Sequence, residues 1–235
     1  RDNFGPVVAQ VAAVALMLDY IVTVAIQSAA GVAAIISTFP NLLPYKIPMI
    51  LVVICILTYG NLRGVKEAGK AFALPTYFFV ACMFTVFSVG LYRQFNGTLI
   101  QLSVDQPGAI EIGQEQGLLT VAAIFILLRA FANGGSSLTG LEAISDGVAL
   151  FKAPEHVNAR RTLFTMSALL GTLVLGVSWF AHKIHAVPYE SGTPTVISQI
   201  AKTIMGDGTV GQVMFVMVQL ATMLILFAGA NTTYS

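Results

Sequence analysis

Residues 117–151 form an apolar stretch longer than a bilayer crossing needs. It is interrupted at Asn133-Gly134-Gly135-Ser136-Ser137-Leu138-Thr139-Gly140. A continuous helix over that length would rise about 50 Å, against a hydrocarbon core of roughly 30 Å. Paired glycines beside hydroxyl residues predict a helix that unwinds there and restarts. Unwound backbone at membrane depth is tolerated only where protein or a water-filled cavity satisfies its polar groups. The interruption is therefore a candidate ligand site. The rest of the chain belongs in the same solvent. Hydrophobic residues make up 56% and charged residues 10%, and mean hydropathy is +0.81, which excludes an ordinary soluble domain.

The pattern predicts an all-α polytopic membrane helix bundle. Six spans are expected, near 6–36, 47–60, 71–92, 117–151 (broken), 162–186 and 210–233, in one transmembrane domain over 1–235. Strand alternation is absent, which excludes a β-barrel. Loops 61–70 and 151–161 carry Arg63, Lys66, Lys70, Lys152, Arg160 and Arg161. The opposite side carries only Lys46, Arg93, Lys183 and Lys202. By the positive-inside rule the first pair of loops is cytoplasmic. The first span then runs from inside to outside, and the broken span from outside to inside. The expected location is the plasma membrane of a bacterium. The abrupt start at Arg1 and the end at Ser235 inside a span suggest an internal piece of a larger membrane protein. The net charge of +1, with no basic stripe, gives no footprint for nucleic acid.

Polar residues inside a bilayer are costly, so each is a functional candidate. Asp19, Tyr20, Thr23, Gln27 and Gly31 fall, at about 100° per residue, within one face of the first span. Thr23 and Gln27 serve equally well as interhelical hydrogen-bonding groups. A carboxylate at Asp19 is harder to explain by packing, and suits a proton relay or a cation partner. At the break, Gly134 and Gly135 permit unusual backbone geometry, and Ser136, Ser137 and Thr139 supply hydroxyls. Carbonyls ending the first half-helix attract cations, and free N–H groups opening the second attract anions. The bland alternative is a small-residue packing seam. The cluster, however, is contiguous rather than periodic, and charges flank it. Arg129 and Glu142 bracket the break. They form a geometry-fixing pair, or else Glu142 exchanges a proton or gates a cavity. In the last span Gln219 and Thr222 face one way, and Asn231-Thr232-Thr233 is a second polar cluster.

No enzyme is expected. The hydroxyl residues include no arrangement with a nearby general base, and no phosphate loop with its following Lys is present. His182 and His185 lie a turn apart without a third ligand, which does not make a transition-metal site. They are placed instead in the headgroup layer beside Trp179 and Tyr189. Cys55 and Cys82 lie in apolar spans and form no disulfide framework.

The run LRAFANGGSSLTGLEAISDGVALFKAPEHVNARRTL (128–163) resembles the sixth-helix region of amino acid–polyamine–organocation (APC) superfamily permeases, most of all bacterial potassium importers of the KUP type. Supporting stretches are 16–35, 60–79, 193–208 and 228–235. The resemblance implies a LeuT-like fold of two inverted five-helix repeats, with this segment as helices three to eight. The first, ninth and tenth helices would then lie outside it. On that resemblance Asp19, Tyr20 and Thr23 match the third-helix pattern lining the potassium path, and Gly134, Gly135, Ser136 and Ser137 match the sixth-helix break. Gln27 and Asn133 depart from the small hydroxyl residues expected at their positions.

Three functions compete. The first is proton-coupled uptake of potassium, with H⁺ as coupling ion and no cofactor. The second is an amino acid or amine permease on the same scaffold, with the N–H groups at Gly134–Ser136 holding a carboxylate. The third is a channel or a non-transporting membrane partner. The expected partners are a small ion or amino acid substrate, the lipid bilayer and the remaining helices of a longer chain. The resemblance leaves room for a homodimer. Polar faces on 6–36 and 210–233 are expected to line an exposed groove.

Overall fold

The computed structural model describes residues 5–63, 68–103, 106–110, 121–135, 148 and 151–233. Seven α-helices are described: α1 (Gly5–Thr38), α2 (Lys46–Leu62), α3 (Ala68–Phe95), α4 (Val121–Gly135), α5 (Glu155–Ile184), α6 (Val196–Met205) and α7 (Thr209–Thr232). A short 3₁₀ helix, Pro40–Tyr45, joins α1 to α2. Five segments among the described residues are long and apolar enough to cross a bilayer: Gly5–Thr38, Pro40–Leu62, Ala73–Phe95, Glu155–Ile184 and Thr209–Thr232. Of the broken span, α4 covers the first part and ends at Gly135. Residues 136–147 lie outside the described residues.

The chain divides into two compact units, 1–110 with 180–235, and 111–179. In the first, α7 is the central helix, packing against α1, α3 and α6. Helices α1 and α7 run antiparallel, since Gly31 meets Phe227 and Gln27 meets Gly229. Their contact is built from small side chains: Ala33, Ala34, Ala221 and Ala230 are buried. This is expected where helices must approach closely without a hydrophobic drive between them. Ile36 of α1, Met83 and Val86 of α3, and Val218 of α7 are buried as well. Phe87 and Phe180 stack with ring centroids 5.5 Å apart at 17°. The exposed side chains of α2, such as Ile47, Leu51, Val52 and Ile56, suit acyl chains.

The side expected to be external is closed by interlocked loops. The Leu102 N–H donates to Ile184 O (2.8 Å), Ile110 N–H to Pro188 O (2.9 Å) and Glu190 N–H to Gly108 O (3.0 Å). Lys46 Nζ donates to Ser191 O at 2.6 Å, and the Thr195 N–H to Ser37 Oγ at 3.2 Å. Helix α6, which was not anticipated from apolar length, lies under this layer. Thr195 Oγ1 accepts the Ser198 N–H at 3.2 Å and starts the helix. Gly206, at φ 77°, ends it, its N–H reaching Lys202 O. Arg93 at the end of α3 donates to Thr203 O at 3.4 Å, placing a cation at the negative end of α6.

In the second unit, α5 begins at Glu155, earlier than the apolar pattern predicts. An acidic residue in the first turn complements the helix dipole and extends the helix beyond the hydrocarbon. The Asn158 side chain donates to Lys152 O at 2.8 Å. The far end of α5, inside the first unit, stops at a Schellman turn. Ala186 N–H reaches Ala181 O (2.9 Å) and His185 N–H reaches His182 O (3.3 Å), with His185 at φ 57°.

Candidate functional site

The polar face expected on the first span divides along its length. Outward from Thr23, α1 is covered by α7: Thr23 is 7% exposed, and Ser28, Gly31, Val32 and Ala34 are buried. Inward from Thr23 the helix is bare. Gln27 faces Gly229, three residues before α7 ends at Thr232, so the cover stops about one turn before Tyr20 and Asp19. Tyr20 is 46% exposed, and Asp19 is exposed. Asp19 makes no hydrogen bond or ion pair among the described residues. Asp19, Tyr20 and Thr23 thus lie within just over one turn of α1, a carboxylate, a phenol and a hydroxyl at the edge of the packed core.

Two more groups continue this face under cover. The Gln27 amide fits over Gly229, where a methyl would lie 2.9 Å from Oε1. Gln27 Oε1 and Ser28 Oγ are buried without a partner among the described residues. On α7, Gln219 and Thr222 are 2% and 5% exposed. Thr222 Oγ1 donates to Val218 O at 2.8 Å, while both polar atoms of Gln219 lack a partner among the described residues. This corrects the expectation of an exposed groove on 210–233. Gln219 and Thr222 are buried because α1, α3 and α6 pack around α7; Thr232 at its end is exposed, as are Asp19 and Tyr20 on α1.

Asn231 is drawn into a bond that the sequence did not reveal. Asn61 Nδ2 donates to Asn231 Oδ1 at 2.6 Å and to Leu57 O at 2.9 Å. The amide ties the end of α2 to the end of α7. Beside it the Arg63 guanidinium sits 4.7 Å over the Tyr59 ring, an aromatic–cation pair suited to the cytoplasmic boundary. In the sequence Asn61 is an amide that ends an apolar run and opens the loop 61–70.

The other predicted cluster lies in the second unit. Arg129 is exposed on α4, and Gly134 has open space around it, with nothing within 4 Å of the position a methyl would take. Gly135 is the last residue of α4. Ser136, Ser137, Thr139 and Glu142 lie outside the described residues, and with them the proposed Arg129–Glu142 pair. Among the described residues, no three His, Cys, Asp or Glu side chains gather as a metal site would require.

The chain is 36% identical over 236 residues to the potassium transporter KimA of Bacillus subtilis (strain 168). It resembles a bacterial membrane transporter. The match takes in all of this chain and 37% of the relative's length. No protein-family model matches the chain. Identity sustained end to end agrees with the apolar helices, and the chain is a multi-pass membrane protein.

Proposed function

We infer that this chain is part of a secondary active transporter that takes up potassium, coupled to protons, on a LeuT-like scaffold of the APC superfamily. The observation that carries the reading is the end-to-end similarity to a potassium transporter. The α1 face supports it chemically. Asp19, Tyr20 and Thr23 offer a carboxylate and two hydroxyl oxygens within just over one turn. Hard cations prefer oxygen ligands, and a carboxylate offsets the charge of an ion that has shed water. Tyr20 and Thr23 would replace part of the hydration shell, and Asp19 would hold either the ion or the coupled proton. On the family resemblance, Gly134, Gly135, Ser136, Ser137 and Thr139 of the broken span are a second set of candidate ligand groups, with Arg129 and Glu142 as candidates for gating. Rocking of one helix bundle against another would expose a site alternately to each side.

The test is potassium uptake into proteoliposomes with and without an inward proton gradient. Uptake should rise with the gradient and fall at least tenfold in Asp19→Asn. Wild-type potassium flux that ignores Asp19→Asn and Ser136→Ala would refute both the ion path and the residues assigned to it. Uptake of labelled amino acids in place of potassium would move the assignment to the permease reading.

A further inference from the structure

The external layer of the first unit encloses a cavity of about 520 Å³, distinct from the α1 face described above. That volume falls within the roughly 300–1,000 Å³ of small-molecule sites. It lies between the last turn of α1, the 3₁₀ helix, loop 100–106, α6 and the start of α7. Its walls are mainly apolar, with Ile36, Leu43, Ile100 and Phe215 among them. The polar groups of the wall are mostly spent on the fold. Gln199 is 6% exposed. Its Nε2 donates to Val187 O (2.7 Å) and Pro194 O (3.2 Å), and its Oε1 accepts the Val187 N–H (3.2 Å). Ser37 Oγ donates to Ala33 O and accepts from Thr195. The Tyr189 hydroxyl donates to Gln106. The interior is therefore mainly apolar, unlike the oxygen-bearing face of α1.

Besides the hydroxyls of Thr193 and Thr203, three lining groups make no bond or ion pair among the described residues. The Ser198 hydroxyl is in a residue only 2% exposed and has no partner among the described residues. Lys202 and Asp207 line the same cavity, are exposed to solvent, and form no ion pair among the described residues. The cavity therefore combines an apolar interior, one buried hydroxyl, and a rim carrying one cation and one anion. We propose that it binds an amphiphilic zwitterion, with the ligand's anion on Lys202, its ammonium on Asp207 and its apolar body in the interior. A free apolar amino acid and the headgroup of phosphatidylethanolamine share this chemistry.

The test uses the purified protein in phosphatidylglycerol nanodiscs, which supply no ammonium. Radiolabelled leucine should bind at saturable stoichiometry. Lys202→Gln and Asp207→Asn should each weaken it at least tenfold, and Ser198→Leu, which fills the interior, should abolish it. Phosphatidylethanolamine retained through purification in native mass spectra, and lost in Ser198→Leu, would assign the site to the lipid instead of the free amino acid. Lys202 and Asp207 are exposed, so their variants decide the matter even if Ser198→Leu fails to fold. Binding of neither ligand by the wild-type protein overturns the proposal. So does binding left unchanged by both rim variants, which would place the ligand elsewhere.

Discussion

Glycines in the apolar helices divide into those that hold a contact open and those with free space, and the difference is measurable. A methyl at Gly31 would collide with the ring of Phe227, and one at Gly90 with both Phe180 and Ile204. A methyl at Gly211 would strike the backbone carbonyls of Met205 and Gly206. At Gly60 and Gly171 there is nothing within 4 Å. Replacing Gly by Ala in a helix interior gains about 0.8–1.0 kcal/mol of propensity. Overfilling a packed contact costs about 1–3 kcal/mol. The two terms oppose each other at the closed positions, and only the first acts at the open ones.

Gly60→Ala and Gly171→Ala should each stabilise by up to about 1 kcal/mol. Gly31→Ala should lie between neutral and a loss of about 2 kcal/mol, because the Phe227 ring can turn aside. Gly90→Ala should lose somewhat more, with two side chains to displace. Gly211→Ala should lose about 2 kcal/mol or more, since a carbonyl in the α6–α7 turn cannot rotate away as a ring can. Thermal unfolding followed by a thiol-reactive dye reads this series. Cys82 is buried and reports opening of the core, and Cys55, which is exposed, is first replaced by Ser. At about 2–4 °C per kcal/mol for a chain of this size, the extremes should differ by several degrees. Phe227→Leu should relieve Gly31→Ala and leave Gly211→Ala unaffected. Equal melting temperatures for Gly60→Ala and Gly211→Ala would refute the packing of α7 on the α6 turn.

Two further outcomes follow from single contacts. A double-mutant cycle on Asn61→Ala and Asn231→Ala should give a coupling of about 0.6 kcal/mol and no more than about 1.7 kcal/mol, the range of hydrogen bonds between membrane helices; additive losses would mean the two amides do not meet. His185→Gly should stabilise by about 1–2 kcal/mol by relieving a left-handed backbone at the end of α5, and a lower melting temperature would show that the imidazole is engaged there.

Apolar length made the membrane helices legible. Runs such as those in α1 and α7 have no other solvent, and their ends fell within a few residues of the hydropathy limits. Length failed where a helix is amphipathic and short. Helix α6 spans ten residues, too few to cross, and its buried face of Ser198, Gln199, Ile200, Ala201 and Ile204 includes two polar residues. Its signals were local: Thr195 three residues before Ser198 for the cap, and Gly206 for the stop. The candidate face is legible as a set of polar residue types at helical spacing on α1. What periodicity could not reveal is where α7 ends along that face, because this depends on the register between two helices far apart in sequence. That register buries Ser28 and the Gln27 amide oxygen and leaves Asp19 and Tyr20 bare.

The position of Asp19 is hard to explain as packing. A carboxylate at the centre of a membrane helix costs about 2.5–3.5 kcal/mol on the insertion scale, and a structural role would recover that by pairing. Asn61 and Asn231 show how this chain settles a polar group for structure, with a direct bond between helix ends. Gln199 shows it again, with its amide oxygen and both amide hydrogens engaged. Asp19 has no such bond among the described residues, and it stands one turn from the buried Thr23. Among the described residues nothing within the fold of α1 offsets that cost. Under the proposed function, a bound cation or the coupled proton would be its partner. Asp19→Asn, which removes the charge while keeping the shape, then separates the proposed transport from folding: it should cut potassium uptake at least tenfold without lowering the melting temperature.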